Sequence, residues 1–176
     1  MRFTPSALPD AVIVDVEEHV DTRGLFARTF CEEEFAVAGL PTRFVQSSVS
    51  FNTRRGTLRG LHFQAPPKPE GKVVRCTRGA IHDVVVDLRP SSPTFLRWIG
   101  VELSADNRRA LYIPPGFAHG FQTLIDDSEV LYLMTEFYAP EMARGVRWND
   151  PMFSVEWPIA DPILSERDAT YPDFRP

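Results

Sequence analysis

Residues Lys72–Pro93 read KVVRCTRGAIHDVVVDLRPSSP: two β-rich runs, split by Arg78-Gly79 and closed by a proline-serine cluster. Valine and isoleucine dominate both runs, and branched side chains pack well on a pleated surface. Apolar runs this short, bounded by turn residues, read as strands rather than helices. The same pattern extends in both directions. Further runs lie at Ala11–Val16, Thr42–Ser50, Leu58–Gln64, Leu96–Leu103, Ala110–Ile113, His119–Leu124, Glu129–Phe137 and Val146–Trp148. Breakers at Asp21–Gly24, Arg55-Gly56, Ala65–Pro67 and Pro114–Gly116 separate most of them. Many short strands at this spacing predict an all-β domain, a sandwich, jelly roll or barrel. One short helix is expected at Cys31–Ala38, CEEEFAVA, whose acids fall in the first turn and which Gly39 can end. The proline-rich tail from Pro158 is expected to wrap the surface, with a short turn at Leu164–Asp168.

A chain of 176 residues is long enough for one sizeable apolar core, so a single domain over 1–176 is expected. Its 43% hydrophobic and 24% charged residues are ordinary for a globular protein. The net charge of −5 argues against a nucleic-acid partner, which needs a basic face. A few convergent arginines can still hold a small diphosphate. No apolar run approaches the roughly 18 residues that span a bilayer, and MRFTPSALPD lacks the apolar region of a signal peptide. A cytoplasmic protein with no membrane partner is expected. Cys31 and Cys76 have no CxxC spacing and read as reduced thiols.

Chemistry-bearing side chains are few. Of the four histidines, His62 sits in LRGLHFQ (Leu58–Gln64) before a proline turn, and His119 in IPPGFAHGF (Ile113–Phe121), where a tight turn feeds a strand. His19 and His82 read as structural, although His82 beside Asp83 could reach a barrel interior. Lys72 shares the even-numbered face of its strand with Val74 and Cys76, and Asp83 punctuates a very apolar run. A barrel interior holding a polar ligand would admit both, and so would a solvent-facing rim. For Asp87 and Arg89, at the end of that run, the rim is expected. Arg59 and His62 have odd spacing, which strict pleating puts on opposite faces; a bulge at Gly60 would re-aim one of them.

IPPGFAHGF resembles the second cupin motif, whose histidine usually binds metal. The first motif would supply His-x-His, but here Phe63-Gln64 follow His62. Two histidines without a third ligand make a poor divalent-metal site, so no metal is expected.

Taken together, DTRGLF (Asp21–Phe26), FVQSSVS (Phe44–Ser50), GTLRGLHFQ (Gly56–Gln64), KVVRC (Lys72–Cys76), DVVVDLRPSSPTF (Asp83–Phe95), IPPGFAHGF, the Tyr132 strand, RGVRWNDP (Arg144–Pro151) and LSERD (Leu164–Asp168) resemble the dTDP-4-dehydrorhamnose 3,5-epimerase family. The resemblance implies a cupin-type jelly-roll barrel with short peripheral helices, a homodimer, a nucleotide-sugar substrate and catalysis with no cofactor. It implies that His62 is the base, Tyr132 the acid on the opposite face, Lys72 the lysine beside the substrate ketone and Asp168 the carboxylate that orients the base. Arg23 and Arg59 would grip the diphosphate and sugar, with Phe26, Arg28, Gln46, Ser48, Asp83, His119 and Tyr138 completing the substrate site. The activity so implied is inversion at C3, C5 or both of a nucleotide-linked 4-keto-6-deoxyhexose through an enolate, with dTDP-4-dehydro-6-deoxyglucose as the leading substrate.

Two positions depart from the family pattern: Arg28 replaces the glutamate of Phe-x-Glu, and Ser48 the asparagine of Gln-x-Asn. An arginine can only donate, which suits cytosine N3 and a CDP-linked 3,6-dideoxy-4-ketohexose better than thymine. A solvated or phosphate-bound Arg28 would leave thymidine in place. A non-catalytic sugar-nucleotide-binding cupin is the alternative from another class; it would need no base, acid and lysine together.

Overall fold

The computed structural model describes residues 1–175. The strands are β1 (Arg2–Pro5), β2 (Val12–Asp15), β3 (Glu18–Asp21), β4 (Gly24–Ala27), β5 (Gln46–Asn52), β6 (Leu58–Gln64), β7 (Lys72–Arg78), β8 (Ala80–Asp87), β9 (Trp98–Ser104), β10 (Ala110–Ile113), β11 (Phe117–Thr123), β12 (Ser128–Met134) and β13 (Ala143–Gly145). Helix α1 (Glu32–Val37) falls inside the expected Cys31–Ala38, and α2 (Glu166–Ala169) overlaps the expected turn in the tail. A six-stranded antiparallel sheet runs β1-β2-β10-β7-β12-β5, a five-stranded one β13-β6-β11-β8-β9, and β3-β4 forms a separate hairpin. The two larger sheets face each other as a cupin-type jelly roll.

Alternation along each strand decides what fills the space between the sheets. Val74, Cys76, Leu111, Ile113 and Val130 come from the larger sheet and meet Ile81, Val85, Leu103, Phe117 and Phe121 from the smaller. The opposite faces are covered too. Phe35 of α1 is fully buried among Val14, Val73 and Tyr112, edge-on to Phe3 and Phe30. Over the smaller sheet the tail lays Phe153, Val155 and Trp157 on Leu61, Val84, Val86 and Ala118. Strand β8 is thus buried on both sides, which is why its sequence reads as a continuous apolar run. Gln122 clamps the tail, donating to the Ile159 carbonyl and accepting from its N–H, both at 2.9 Å.

Several expectations need correction. Val146–Trp148 is not a strand; pairing with β6 comes from Ala143–Gly145 just before it. β1 and the β3-β4 hairpin carry no alternation that betrays them, being exposed on nearly every residue. Asp21–Gly24 is the turn of that hairpin, closed by Arg23 N–H donating to Asp21 Oδ1 at 2.8 Å. His82 is structural, as expected, and does not reach the interior: it faces outward, its ring edge-on to Trp157 and packed over Gly100. Asp87 is not at a solvent-facing rim. It is wholly buried and accepts from Arg89, Ser92 and Thr94, because the loop after β8 folds back over the strand end. Burial alone would push its carboxyl up; these donors outweigh it and hold the pKa down at about 2.

Candidate active site

At Gly60, strand β6 approaches β11 so closely that only glycine fits. A Cβ on Gly60 would sit 2.5 Å from Gly120 Cα, and one on Gly120 would sit 2.7 Å from the Arg59 carbonyl oxygen. Gly60 also has φ +132, a backbone setting that side chains rarely adopt. The register slips here: His62 pairs with His119 and Arg59 with Phe121, so β6 carries one extra residue. That bulge cancels the odd spacing and turns Arg59 and His62 toward the same cavity, as expected.

The cavity is about 470 Å³, and its walls come from both sheets. On the smaller sheet, His62 Nε2 lies 2.6 Å from Asp168 Oδ1, and the other ring nitrogen has no hydrogen bond among the described residues. Asp168 is 4% exposed and also accepts from Gly60 N–H. Burial opposes its charge, but His62, Gly60 N–H and the Ser165 hydroxyl hold its pKa below the usual carboxylate value. The residue is delivered by α2, which Ser165 caps by accepting from Asp168 N–H at 3.1 Å. Tyr171 stands edge-on to His62 at 6.0 Å, in space that Gly145 leaves open.

On the larger sheet, Tyr132 and Lys72 are diagonal neighbours on one face, since Tyr132 pairs with Val74 and Met134 with Lys72. Burial pushes the Tyr132 hydroxyl above its ordinary value, the Asp83 carboxylate adds to this and Arg59 opposes it. The phenol therefore stays protonated at neutral pH. Lys72 Nζ lies 2.9 Å from Glu70 Oε1. Deeper in, His119 Nε2 is 2.8 Å from Asp83 Oδ1, with both side chains buried and the His119 ring edge-on to Tyr132.

Arg59, His62, Lys72, Ser48, His119, Tyr132, Tyr138 and Asp168 thus share one cavity. Asp83 stands behind it, on His119, and Gln46 accepts from Tyr138 N–H at the rim. Arg23, Phe26 and Arg28 do not reach the cavity of their own chain. Arg23 is tied to Asp21 at 2.6 Å on the exposed hairpin, and Phe26 is 72% exposed. Arg28 bonds Glu34 at 3.0 Å, in a small cleft beside Met1, Glu17 and His19. Among the described residues the hairpin that carries Arg23 and Phe26 pairs only with itself. Sequence reasoning missed Glu70, Arg144 and Arg167, which line the cavity. The one signal for Arg167 was its place beside Asp168 in LSERD.

Among the described residues no three His, Cys, Asp or Glu side chains converge on a metal-holding point, and no helix is long and apolar enough to cross a membrane.

Comparison with known proteins points one way. The profile of the dTDP-4-dehydrorhamnose 3,5-epimerase family matches residues 5–176. The chain is similar to the dTDP-4-dehydrorhamnose 3,5-epimerase of Methanothermobacter thermautotrophicus, with 48% identity over 99% of this chain and 95% of that one. A crystal structure of the Bacillus anthracis dTDP-4-dehydrorhamnose 3,5-epimerase with TDP and PPi bound matches with TM-score 0.96 and 41% identity, over 98% of this chain and 99% of that one. ChmJ, a 3'-monoepimerase from Streptomyces bikiniensis in complex with dTDP-quinovose, matches with TM-score 0.88 and 37% identity, over 96% and 86% of the two chains.

Proposed function

Since the chain belongs to the dTDP-4-dehydrorhamnose 3,5-epimerase family, we propose that its cavity inverts carbons flanking the C4 ketone of dTDP-4-dehydro-6-deoxyglucose. The ketone acidifies the hydrogens on C3 and C5, because the carbanion delocalises into an enolate. His62 removes the proton through the ring nitrogen that does not face Asp168, and imidazole is the commonest general base for such a step. Asp168 holds the ring in place and stabilises the imidazolium that forms. The Lys72 ammonium faces the charge gathering on the enolate oxygen, an effect worth roughly 10²–10³ in rate at comparable sites. Tyr132 returns a proton to the carbon from the other side.

The observation that carries this reading is the division of labour between the two sheets. The base stands on the smaller sheet and the protonated phenol on the larger one, so a sugar ring held between them meets one on each face. Inversion requires that, and mere binding does not. Thymidine is favoured because Arg28 is already paired with Glu34 and because the similar proteins are dTDP-sugar enzymes.

The exposed hairpin supports a homodimer. Val20, Leu25 and Phe26 are 73%, 39% and 72% exposed, and the free edge strand β5 adds exposed Val49 and Phe51. A second copy covering them would bring Arg23 and Phe26 to the neighbouring cavity, where a diphosphate needs a second guanidinium. Light scattering is expected to give twice the mass of one chain, and Phe26→Glu to shift it toward one; a monomeric wild type would remove the dimer.

The deciding experiment is solvent-deuterium incorporation, followed at C3 and C5, on dTDP- and CDP-linked 4-keto-6-deoxysugars in parallel. Exchange at one or both carbons of the dTDP sugar is expected. Exchange with the CDP sugar alone would overturn the nucleobase, and none with either would leave a sugar-nucleotide-binding protein.

A further inference from the structure

Only two lysines occur in the chain, Lys68 and Lys72, and they meet different fates. The Lys68 side chain is 47% exposed, with Glu136 3.9 Å away. Lys72 and Glu70 form a 2.9 Å ion pair inside the cavity, their side chains 11% and 12% exposed. Residues two apart in an extended segment share a face, so Glu70-Gly71-Lys72 sends both side chains the same way. The segment is pinned from across the sheet. Gly71 N–H donates to Thr135 Oγ1 at 2.8 Å, and Thr135 N–H donates to the Gly71 carbonyl at 3.0 Å. Thr135 directly follows β12, the strand that carries Tyr132, so Glu70, Lys72 and the acid are indexed to one backbone.

An ion pair this buried is a poor way to gain stability, because desolvating two charges costs about as much as their attraction returns. It has a different consequence. A lysine ammonium rides on a four-carbon stem with three rotatable donors and does not hold one direction by itself. We propose that Glu70 is a positioning residue, whose charge-assisted hydrogen bond to Nζ aims the Lys72 ammonium at the oxygen of the substrate ketone. This rests on the function proposed above. The carboxylate takes one of the three N–H donors and leaves two for the enolate oxygen. Its negative charge also weakens the field of Lys72, so the benefit is one of aim and not of charge. Glutamine, which keeps an acceptor oxygen on the same stem, should therefore serve nearly as well.

The test compares Glu70→Ala, Glu70→Gln, Lys72→Met and the Glu70→Ala/Lys72→Met pair. Deuterium exchange on dTDP-4-dehydro-6-deoxyglucose is read alongside dTDP affinity. Glu70→Ala is expected to lower kcat about tenfold with dTDP binding unchanged, and Glu70→Gln to stay within about threefold of wild type. In the Lys72→Met background, Glu70→Ala should cost nothing further. A full tenfold cost in that background, or a Glu70→Ala rate within twofold of wild type, overturns the proposal. A second readout needs no turnover. Acylation by a small reagent, quantified by mass spectrometry with Lys68 as internal reference, should accelerate at Lys72 in Glu70→Ala; an unchanged Lys72 to Lys68 ratio would break the pairing. If the wild type fails to exchange any substrate, the proposed function falls, while the acylation ratio still decides the pair.

Discussion

The same chemical pair occurs twice around the cavity, its two histidines on neighbouring strands. His62 with Asp168 and His119 with Asp83 are both histidine–carboxylate contacts, at 2.6 and 2.8 Å, and the two histidines sit directly opposite each other in the β6-β11 ladder. Their surroundings differ. The His62 side chain is 39% exposed and opens on the cavity, whereas the His119 side chain is 5% exposed and packs against Tyr132. A base must reach its substrate and change charge within each turnover; a ring sealed between a buried carboxylate and a phenol does neither easily. Under the proposed function, the same residue types separate into a reagent and a support, and their exposure, 39% against 5%, is what distinguishes them.

The sharpest way to break that distinction is to remove each ring in turn. His62→Ala should cost on the order of 10²–10⁴ in exchange rate while leaving dTDP affinity nearly intact. His119→Ala should cost at least tenfold less in rate than His62→Ala, and show its loss in urea unfolding, because it leaves Asp83 buried without its partner. Reversed rankings would exchange the two roles.

The next test is of the bulge that brings the rings into register. Gly60→Ala forces a Cβ against Gly120 Cα and should destabilise the fold by about 3 kcal/mol, read as a lower urea midpoint. Normal stability and activity in that variant would mean that the approach of β6 to β11 does not set the site.

The smallest effect concerns the support pair. Asp83 Oδ2 has no hydrogen-bond partner among the described residues, and its charge helps to hold the Tyr132 pKa up, second to burial. Asp83→Asn removes that charge, so the Tyr132 pKa should fall toward the ordinary value of about 10. The alkaline limb of the exchange rate, where the phenol loses its proton, should move to lower pH, with less than a tenfold change in rate at pH 7. An unmoved limb would disconnect Asp83 from the acid.

Much of the wall of the cavity was legible in residue order. Leu58–Gln64 and Ala110–Ile113 are strands at the expected bounds, the first flanked by breakers on both sides and the second ended by Pro114–Gly116. Lys72 could be put on the face of Val74 and Cys76 by counting in twos, and that face is the interior. Asp83 could not be resolved this way, since β8 is apolar on both faces and its alternation is erased. Asp87 misled for a related reason: charge at a strand end reads as solvent exposure, and only the returning loop with Ser92 and Thr94 shows the carboxylate enclosed. The hairpin at Glu18–Ala27 escaped notice because its residues face water on nearly all sides and no burial pattern marks them.

Residue order by itself determined the all-β class, the even-face placement of Lys72 and the glycine that lets β6 bulge. These depend on neighbours a few positions apart, where pleating and backbone sterics act. That Asp168 meets His62 across 106 positions was legible only through the family resemblance, and tertiary structure alone decided that Glu70 holds Lys72 inside the cavity and that Arg23 points away from it. Those outcomes turn on which distant surfaces close over one another, and burial and charge pairing exist only after they have closed.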